Sequence, residues 1–189
     1  MIYATQDLDA AAARIEGELG LKAAGGGRHD GLGTHNRIVP LGRGYLELLA
    51  IADRAEAEGS ELGRAVQRQI EEVGEGLLGW AVAVEDVAPH ADRLGLTVTT
   101  IARQGMSAQL AGLAESMHEP VLPFFIARDP GSGNPAGGGP GPGIAAIEVA
   151  GDAQRLGAWL GDAQLPVHVA GGHPPGVRAV QIGHLRLSH

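Results

Sequence analysis

Residues 1–27 read MIYATQDLDAAAARIEGELGLKAAGGG, and this stretch decides the fold because the chain repeats its pattern. It runs as an apolar segment, an aspartate, an amphipathic segment, a glycine stop and a second apolar segment. Residues 80–104, WAVAVEDVAPHADRLGLTVTTIARQ, repeat this order, with Asp86 in the place of Asp7. Residues 144–161, IAAIEVAGDAQRLGAWLG, state it a third time. Such an internal repeat predicts an architecture of repeated strand–helix–strand modules.

The first copy contains a helix with a clear start and stop. Apolar side chains recur at helical spacing along residues 8–19, Asp7 suits the N-cap, and Gly20 suits the C-terminal stop. The residues that follow predict a glycine-rich turn at 25–33 and strands at 21–24, 34–41 and 44–51. Residues 1–51 therefore predict a βαβββ module.

The rest of the chain divides into four segments. Residues 52–76 contain a linking helix that begins after Ser60. Residues 130–143 are dominated by Gly and Pro and predict a mobile surface loop. Residues 144–189 predict a partial third module. Residues 77–129 predict a second βαβββ module, with a helix at 88–94 and strands at 77–84, 96–103, 107–113 and 121–128.

Charge and composition exclude several classes of protein. The chain has 14 Lys and Arg against 22 Asp and Glu, a formal net charge of -8, so it lacks the basic face that binding to nucleic acid requires. It has no Cys, which excludes disulfides and thiolate metal sites. No apolar run reaches the ~20 residues of a membrane span. We therefore predict a cytoplasmic protein that binds neither nucleic acid nor membranes.

Two kinds of local signal are weak. The glycine run at residues 25–27 precedes a predicted strand, whereas a nucleotide-binding turn opens a helix, so nucleotide binding is disfavoured. His29 and His35 flank a turn, and His168 and His173 form a similar pair near the C-terminus. Zinc takes three or four protein ligands, and neither pair has further ligands nearby in the sequence. We favour a surface role for the C-terminal pair and leave the role of the first pair open.

Glu47 is the strongest single candidate for chemistry. It lies in the predicted strand at residues 44–51, GYLELLAI, which is otherwise almost entirely apolar. Alternation places Tyr45, Glu47 and Leu49 on one face of that strand. An unpaired carboxylate is costly to bury. Its face therefore lines a wet cavity or holds a partner for the carboxylate, unless the strand is an edge strand whose Glu47 points to water.

Five segments of the chain carry a resemblance to a known family. They are GGRHDGLGTHN at 26–36, VPLG at 39–42, YLEL at 45–48, GWAV at 79–82 and LPFFI at 122–126. In this combination the chain resembles the glyoxalase-like branch of the vicinal oxygen chelate superfamily, which includes glyoxalases, bleomycin-resistance proteins and dioxygenases. The resemblance covers residues 1–129 well. It implies an α+β fold of paired βαβββ modules whose sheets curl around a central cavity, with a partial third module at the C-terminus.

The resemblance also implies a divalent metal in that cavity, but most ligand positions are vacant. Glu47 matches the metal-ligating carboxylate of the first module. The usual first-strand histidine would stand directly before Met1. The two ligand positions of the second module fall on Gly79 and near Phe125, which offer no ligating side chain. We therefore assign no metal ligand, leave the cofactor unknown, and predict no tightly bound metal at the centre.

Two functions from different classes follow from the resemblance. The first is a small-molecule enzyme of lyase or isomerase type in which Glu47 is the catalytic residue. The second is a metal-free protein that binds or sequesters a hydrophobic small molecule, as antibiotic-resistance members do. A purely structural module is a third interpretation, and we expect a homodimer. Alternation allows only one of His35 and Asn36 to point inward. The candidate substrate contacts are His35, Asn36, Trp80, Arg103 and Phe125.

Overall fold

The computed structural model of the protein describes residues 1–103, 106–129 and 131–188. The first module has the element order expected from the sequence. Its elements form a mixed sheet in the order β2-β3-β4-β1, in which β1 and β4 run parallel. They are β1 (Ile2–Ala4), α1 (Leu8–Leu19), β2 (Ala24–His29), β3 (Thr34–Pro40) and β4 (Tyr45–Ile51).

After two linking helices, the second module repeats the strand arrangement of the first and has an additional helix before its last strand. The connection comprises α2 (Arg54–Glu58), α3 (Glu61–Glu72) and β5 (Gly76–Gly79), and β5 joins the first sheet beside β1. The second sheet has the order β6-β9-β8-β7, with β6 parallel to β9. Its module consists of β6 (Ala81–Ala83), α4 (Ala88–Leu94), β7 (Val98–Arg103), β8 (Met106–Ala111), α5 (Leu113–His118) and β9 (Phe124–Arg128). The predicted α+β fold of paired βαβββ modules is therefore confirmed.

The C-terminal residues form a third sheet. Its elements are β10 (Ile144–Ala150), α6 (Ala153–Leu160), β11 (Val167–Ala170), β12 (Gly176–Ile182) and β13 (Leu185–Ser188). The strand order is β11-β10-β12-β13. Here the first strand runs parallel to the strand that follows its helix, whereas in the other two modules it pairs with the last strand. The third copy therefore keeps the strand–helix–strand beginning but pairs its strands differently.

The single strand predicted at residues 77–84 is in fact two strands in different sheets. β5 pairs antiparallel with β1, whereas β6 pairs parallel with β9. Trp80 lies between them, is 2% exposed, and donates from its indole to the Val121 carbonyl at 3.1 Å. Burying this large side chain anchors the point where the chain leaves one sheet for the next. A continuous apolar run in the sequence does not reveal such a division.

The glycine-rich segment at residues 25–33 is a turn only in its second half, so the predicted turn was wrong over its first half. Gly27 lies opposite Asn36 in the β2–β3 pair. A Cβ atom on Gly26 would stand 1.5 Å from the Asn36 carbonyl oxygen. The two strands approach too closely there for any side chain. Glycine in a strand marks such an approach as readily as glycine in a loop marks a turn.

The aspartates that define the repeat act at helix N-termini. Asp7 Oδ1 accepts hydrogen bonds from two backbone N–H groups of α1 at 2.9 and 3.1 Å, and Asp152 does the same for α6. Asp86 accepts from the Ala88 N–H at 2.8 Å, although the N-cap of α4 is Val87. Each bond satisfies a backbone donor that the helix leaves unpaired. None of the helices in the described ranges is long and apolar enough to span a bilayer.

The two faces of β4 belong to different layers. Leu46, Leu48 and Ala50 are buried in the main core, which also includes residues of α1, α4 and the third sheet. Leu49 packs on the opposite side, in a second cluster with residues of α3, β8 and β9. Glu47 shares this second face, because side chains two positions apart lie on the same side of a strand. The alternation predicted from the sequence thus turns Glu47 toward the second sheet.

Candidate functional site

A cavity opens between the first two sheets, on the face of β4 that carries Glu47. Its volume is about 100 Å³. Strands of both sheets, helices α3 and α5, and the segment after β9 contribute to its wall. The wall is mainly apolar. Its described polar residues are His29, Asn36, Tyr45, Glu47, Ser107, Arg128 and Ser132.

Glu47 occupies a rigid position in this wall. Its backbone lies opposite Ile2 on one side and Ile38 on the other, and its N–H donates to the Met1 carbonyl at 2.8 Å. Its side chain is 14% exposed. It supplies the one carboxylate among the described lining residues. An anionic side chain on an interior strand therefore faces a small, mainly apolar space.

A chain of hydrogen bonds ends at the Glu47 carboxylate. Asn36 Nδ2 donates to Glu47 Oε1 at 2.5 Å and to His29 Nε2 at 3.1 Å. Asn36 Oδ1 accepts from the Gly27 N–H at 3.1 Å, and this bond fixes the direction of the amide. His29 Nδ1 then donates to Thr34 Oγ1 at 2.9 Å. This pattern assigns the neutral Nδ1–H tautomer to His29.

The network is buried and therefore holds the carboxylate in one orientation. Thr34 is 0% exposed, and His29 and Asn36 are each 5% exposed. Fully paired polar groups in a protein interior are rigid, since each lost partner leaves a costly unsatisfied group. The network engages Oε1 of Glu47, and no described residue forms a hydrogen bond to Oε2. That second oxygen can accept a proton from a ligand in the cavity.

Of the predicted substrate contacts on strands β3 and β7, one lines the cavity. Asn36 does so, and His35, the next residue on β3, is absent from the described lining because alternation turns it to the other face. On β7, Ile101 and Ala102 line the cavity and Arg103 is the last residue of the strand. The predicted contact by the Arg103 side chain falls outside the part of the chain that the structure describes.

The two predicted aromatic walls belong to the core. Trp80 is buried and hydrogen-bonded to a backbone carbonyl. Phe125 is 1% exposed and stacks on His90, with ring centroids 4.3 Å apart. Neither is among the described lining residues, whereas Phe124 and Ile126 are. In the apolar strand β9, the sequence does not reveal which alternate set of residues faces inward.

Phe124 is the structural counterpart of Glu47 in the second module. Glu47 lies opposite Ile2 in the β1–β4 pair, and Phe124 lies opposite Ala81 in the β6–β9 pair. Ile2 and Ala81 stand at the same distance before the aspartate of their repeats. The sequence analysis placed this counterpart near Phe125, whereas the pairing of β6 with β9 places it one residue earlier. Both Phe124 and Phe125 have apolar side chains.

The donor set around Glu47 does not fit a divalent metal. Catalytic zinc takes three protein ligands and a water molecule. Near Glu47 the described ligand-type group is His29, whose two ring nitrogens are hydrogen-bonded to Thr34 and Asn36. Within residues 1–103, 106–129 and 131–188, no group of three His, Asp or Glu side chains is arranged to hold a metal ion. We therefore derive no chemical step through a metal.

The segment after β9 borders the cavity and contacts both sheets. Ser132 lines the cavity, accepts a hydrogen bond from the Ser107 N–H and donates to the Ser107 carbonyl, each at 3.1 Å. Farther along, the Ala136 carbonyl accepts from the Gly42 N–H at 2.9 Å, between β3 and β4. The glycine-rich segment thus lies against the site, and its mobility stays a prediction.

Among the polar lining residues that sequence reasoning did not select are His29, Tyr45 and Arg128. His29 was considered as a zinc ligand and is instead part of the network at Glu47. Tyr45 was placed on the face of Glu47 without a role, and Arg128 was not considered. Arg128 Nη2 donates to the Tyr45 hydroxyl at 2.9 Å, although the two residues are 83 positions apart. Spacing in the sequence carries no signal for a contact of this kind.

Paired βαβββ modules with a mainly apolar cavity between their sheets form the fold that the sequence resemblance implied. This chain belongs to the glyoxalase-like domain family, whose sequence model matches residues 1–164. The resemblance read from the sequence is therefore confirmed. No curated relative matches the sequence significantly.

Solved structures support the same fold. A hypothetical protein from Staphylococcus aureus is 15% identical and aligns with a TM-score of 0.71, over 95% of this chain and 87% of its own. A variant of methylmalonyl-CoA epimerase from Streptomyces coelicolor, in complex with 2-nitronate-propionyl-CoA, is 22% identical with a TM-score of 0.52, over 68% of this chain and 94% of its own. A second variant of that epimerase is 20% identical with the same TM-score and coverage.

Proposed function

We propose that this protein is a small-molecule enzyme of lyase or isomerase type in which Glu47 removes a proton from a carbon atom beside a carbonyl group. The observation that carries the proposal is the Glu47 carboxylate, held by Asn36 at 2.5 Å inside a mainly apolar cavity. A general base must be fixed within reach of the proton it abstracts. The buried network supplies that fixed position.

The proposed step uses the two carboxylate oxygens differently. Asn36 donates to Oε1, and Oε2 takes the proton from the substrate carbon. The electrons of the broken C–H bond form a carbon–carbon double bond, and those of the carbonyl double bond move to its oxygen. The product of this step is an enolate. Glu47 then returns the proton to the same or a neighbouring carbon. In a lyase reaction the enolate instead re-forms its carbonyl group and breaks the bond from the β-carbon to the leaving group, which takes the proton from Glu47. Because the Asn36 amide is neutral, it orients the carboxylate without taking up its charge.

The comparisons support the class of protein and leave the substrate open. The Streptomyces coelicolor neighbours are epimerases, which agrees with isomerase chemistry, but at 22% identity or less they support the fold alone. The second candidate is a metal-free binding or sequestering protein. The apolar wall favours it, including Phe124 at the position that corresponds to Glu47. The homodimer remains part of the proposal, and a measurement of the molecular mass of the protein in solution tests it.

Hydrogen exchange at carbon separates the two functions. Small carbonyl compounds, including α-keto acids, α-keto amides and β-keto esters, are incubated with the protein in deuterium oxide, and deuterium incorporation is followed by NMR. Glu47→Gln should bind the same compounds but exchange them roughly 10²- to 10⁴-fold more slowly, the usual contribution of a general base. Exchange at the wild-type rate in Glu47→Gln would refute the proposed role.

The matched control is Glu148→Gln on β10. Glu148 is also a strand carboxylate, but it pairs with Arg186 at 2.8 Å in the third sheet and does not line the cavity. This variant should exchange every compound at the wild-type rate. If the wild-type protein and both variants bind a compound without exchanging it, the sequestering function is supported instead.

A further inference from the structure

We infer that Arg128 binds the carboxylate of the substrate, so that the compounds taken by this cavity are anionic carbon acids. The inference rests on the proposed function, which it deepens by naming the substrate class. Arg128 is the last residue of β9, where alternation places it on the same face as Phe124 and Ile126. All three line the cavity. The guanidinium group therefore stands in the same space as Glu47.

Tyr45 holds this guanidinium in place. Arg128 Nη2 donates to the Tyr45 hydroxyl at 2.9 Å, and its Cζ atom lies 5.2 Å from the centroid of the Tyr45 ring. The hydrogen bond and the cation–π contact link β9 to β4 across the cavity. A guanidinium group has five N–H donors in a planar fork. The bond to Tyr45 uses one of them and leaves a fork that fits a carboxylate.

No carboxylate in the described part of the chain forms an ion pair with Arg128. The nearest acid in the sequence, Asp129, accepts a hydrogen bond from the Ser107 hydroxyl. The Glu47 carboxylate is engaged by Asn36. A cation in a mainly apolar cavity is costly unless an anion pairs with it. A bound carboxylate supplies that anion.

The two charged groups border the same cavity. Tyr45 and Glu47 are two residues apart on β4, so their side chains are neighbours on one face of the strand. Arg128 contacts the Tyr45 side chain, and the Tyr45 side chain therefore links the guanidinium group to the strand that carries the base. One molecule can place its carboxylate at Arg128 and its acidic C–H bond at Glu47. The apolar wall then receives the hydrocarbon part.

Matched pairs of acids and amides test this assignment. Pyruvate, α-ketobutyrate and α-ketoisocaproate, each with its neutral amide, are titrated by calorimetry against the wild-type protein and its variants. The wild type should bind an acid roughly ten- to hundredfold more tightly than its amide, as expected for a hydrogen bond between charged groups. Arg128→Met should bind both forms equally, and Arg128→Lys should keep part of the preference. Arg178→Met is the control, since Arg178 lies on β12 in the third sheet and contacts the Pro174 carbonyl.

The preference for acid over amide separates charge recognition from a structural role, because loss of packing alone weakens both ligands together. If Arg128→Met does not fold, Arg128→Lys and Tyr45→Phe still test the inference. Each of these variants should lower the preference for an acid over its amide. An undiminished preference in the folded Arg128 variants overturns the inference. So does a wild type that binds no acid of the panel, or binds acids and amides equally. Exchange that persists in Glu47→Gln while the acid preference depends on Arg128 defeats the proposed base and leaves this inference standing.

Discussion

Substituting Gly42 should detach the glycine-rich segment from the cavity, and Gly44 provides a matched control. Both glycines lie in the left-handed region, with φ of +79° and +77°. A Cβ atom on Gly42 would stand 2.6 Å from the Gly139 carbonyl oxygen and 2.8 Å from the Gly141 nitrogen. A Cβ atom on Gly44 would meet the end of the Ile144 side chain, at 3.6 Å. The two alanine variants therefore share the backbone strain but only one collides with the segment.

The expected difference in stability follows from the bonds at this contact. Left-handed strain costs each variant about 1–2 kcal/mol. Gly42→Ala should also break the hydrogen bonds from the Gly42 N–H to Ala136 and from the Gly143 N–H to Leu41, both at 2.9 Å. At roughly 1 kcal/mol for each bond, Gly42→Ala should be about 2 kcal/mol less stable than Gly44→Ala. For a chain of this size, this corresponds to a melting temperature lower by about 4–8 °C.

Thermal unfolding and limited proteolysis measure the two consequences. Gly42→Ala should melt below Gly44→Ala and should be cleaved faster within residues 131–143, with cleavage elsewhere unchanged. The reasoning fails if the two variants melt together and are cleaved at equal rates. That result would mean that the contact between the glycine-rich segment and the β3–β4 turn contributes nothing to the stability of the protein in solution.

Partial burial raises the pKa of Glu75, but hydrogen bonds led by that from Thr5 outweigh this effect and hold the pKa below its ordinary value of 4.5. Glu75→Gln should therefore be less stable than wild type at neutral pH, and the gap should close as the pH falls through the folded pKa; a gap independent of pH contradicts this. Elemental analysis of dialysed protein should find no stoichiometric zinc, nickel or iron, and one metal per chain that disappears in Glu47→Ala would overturn that expectation. Asp7→Ala should lower the free energy of unfolding by about 1 kcal/mol through loss of the α1 cap, whereas exposed Asp162→Ala should have no effect; equal losses would refute the capping role.

Much of the fold could be predicted because its signals are local. The start and stop of α1 depend on Asp7 and Gly20, which act within one turn of the helix. The errors arose where distant parts of the chain meet. Gly26 belongs to a strand because of its close approach to Asn36, and the run around Trp80 divides because it serves two sheets. The residues next to Gly26 and Trp80 in the sequence carry no signal of either contact.

The candidate site shows the same division. The sequence by itself determined that Glu47 shares a face with Tyr45 and that the chain contains paired modules, because strand alternation and repeats need no knowledge of the partner strands. Only the tertiary structure decided that Asn36 faces the cavity, that its amide holds Glu47, and that Arg128 meets Tyr45. Alternation states which residues lie together on a strand. Which face turns inward, and what stands across from it, depends on how whole sheets pack.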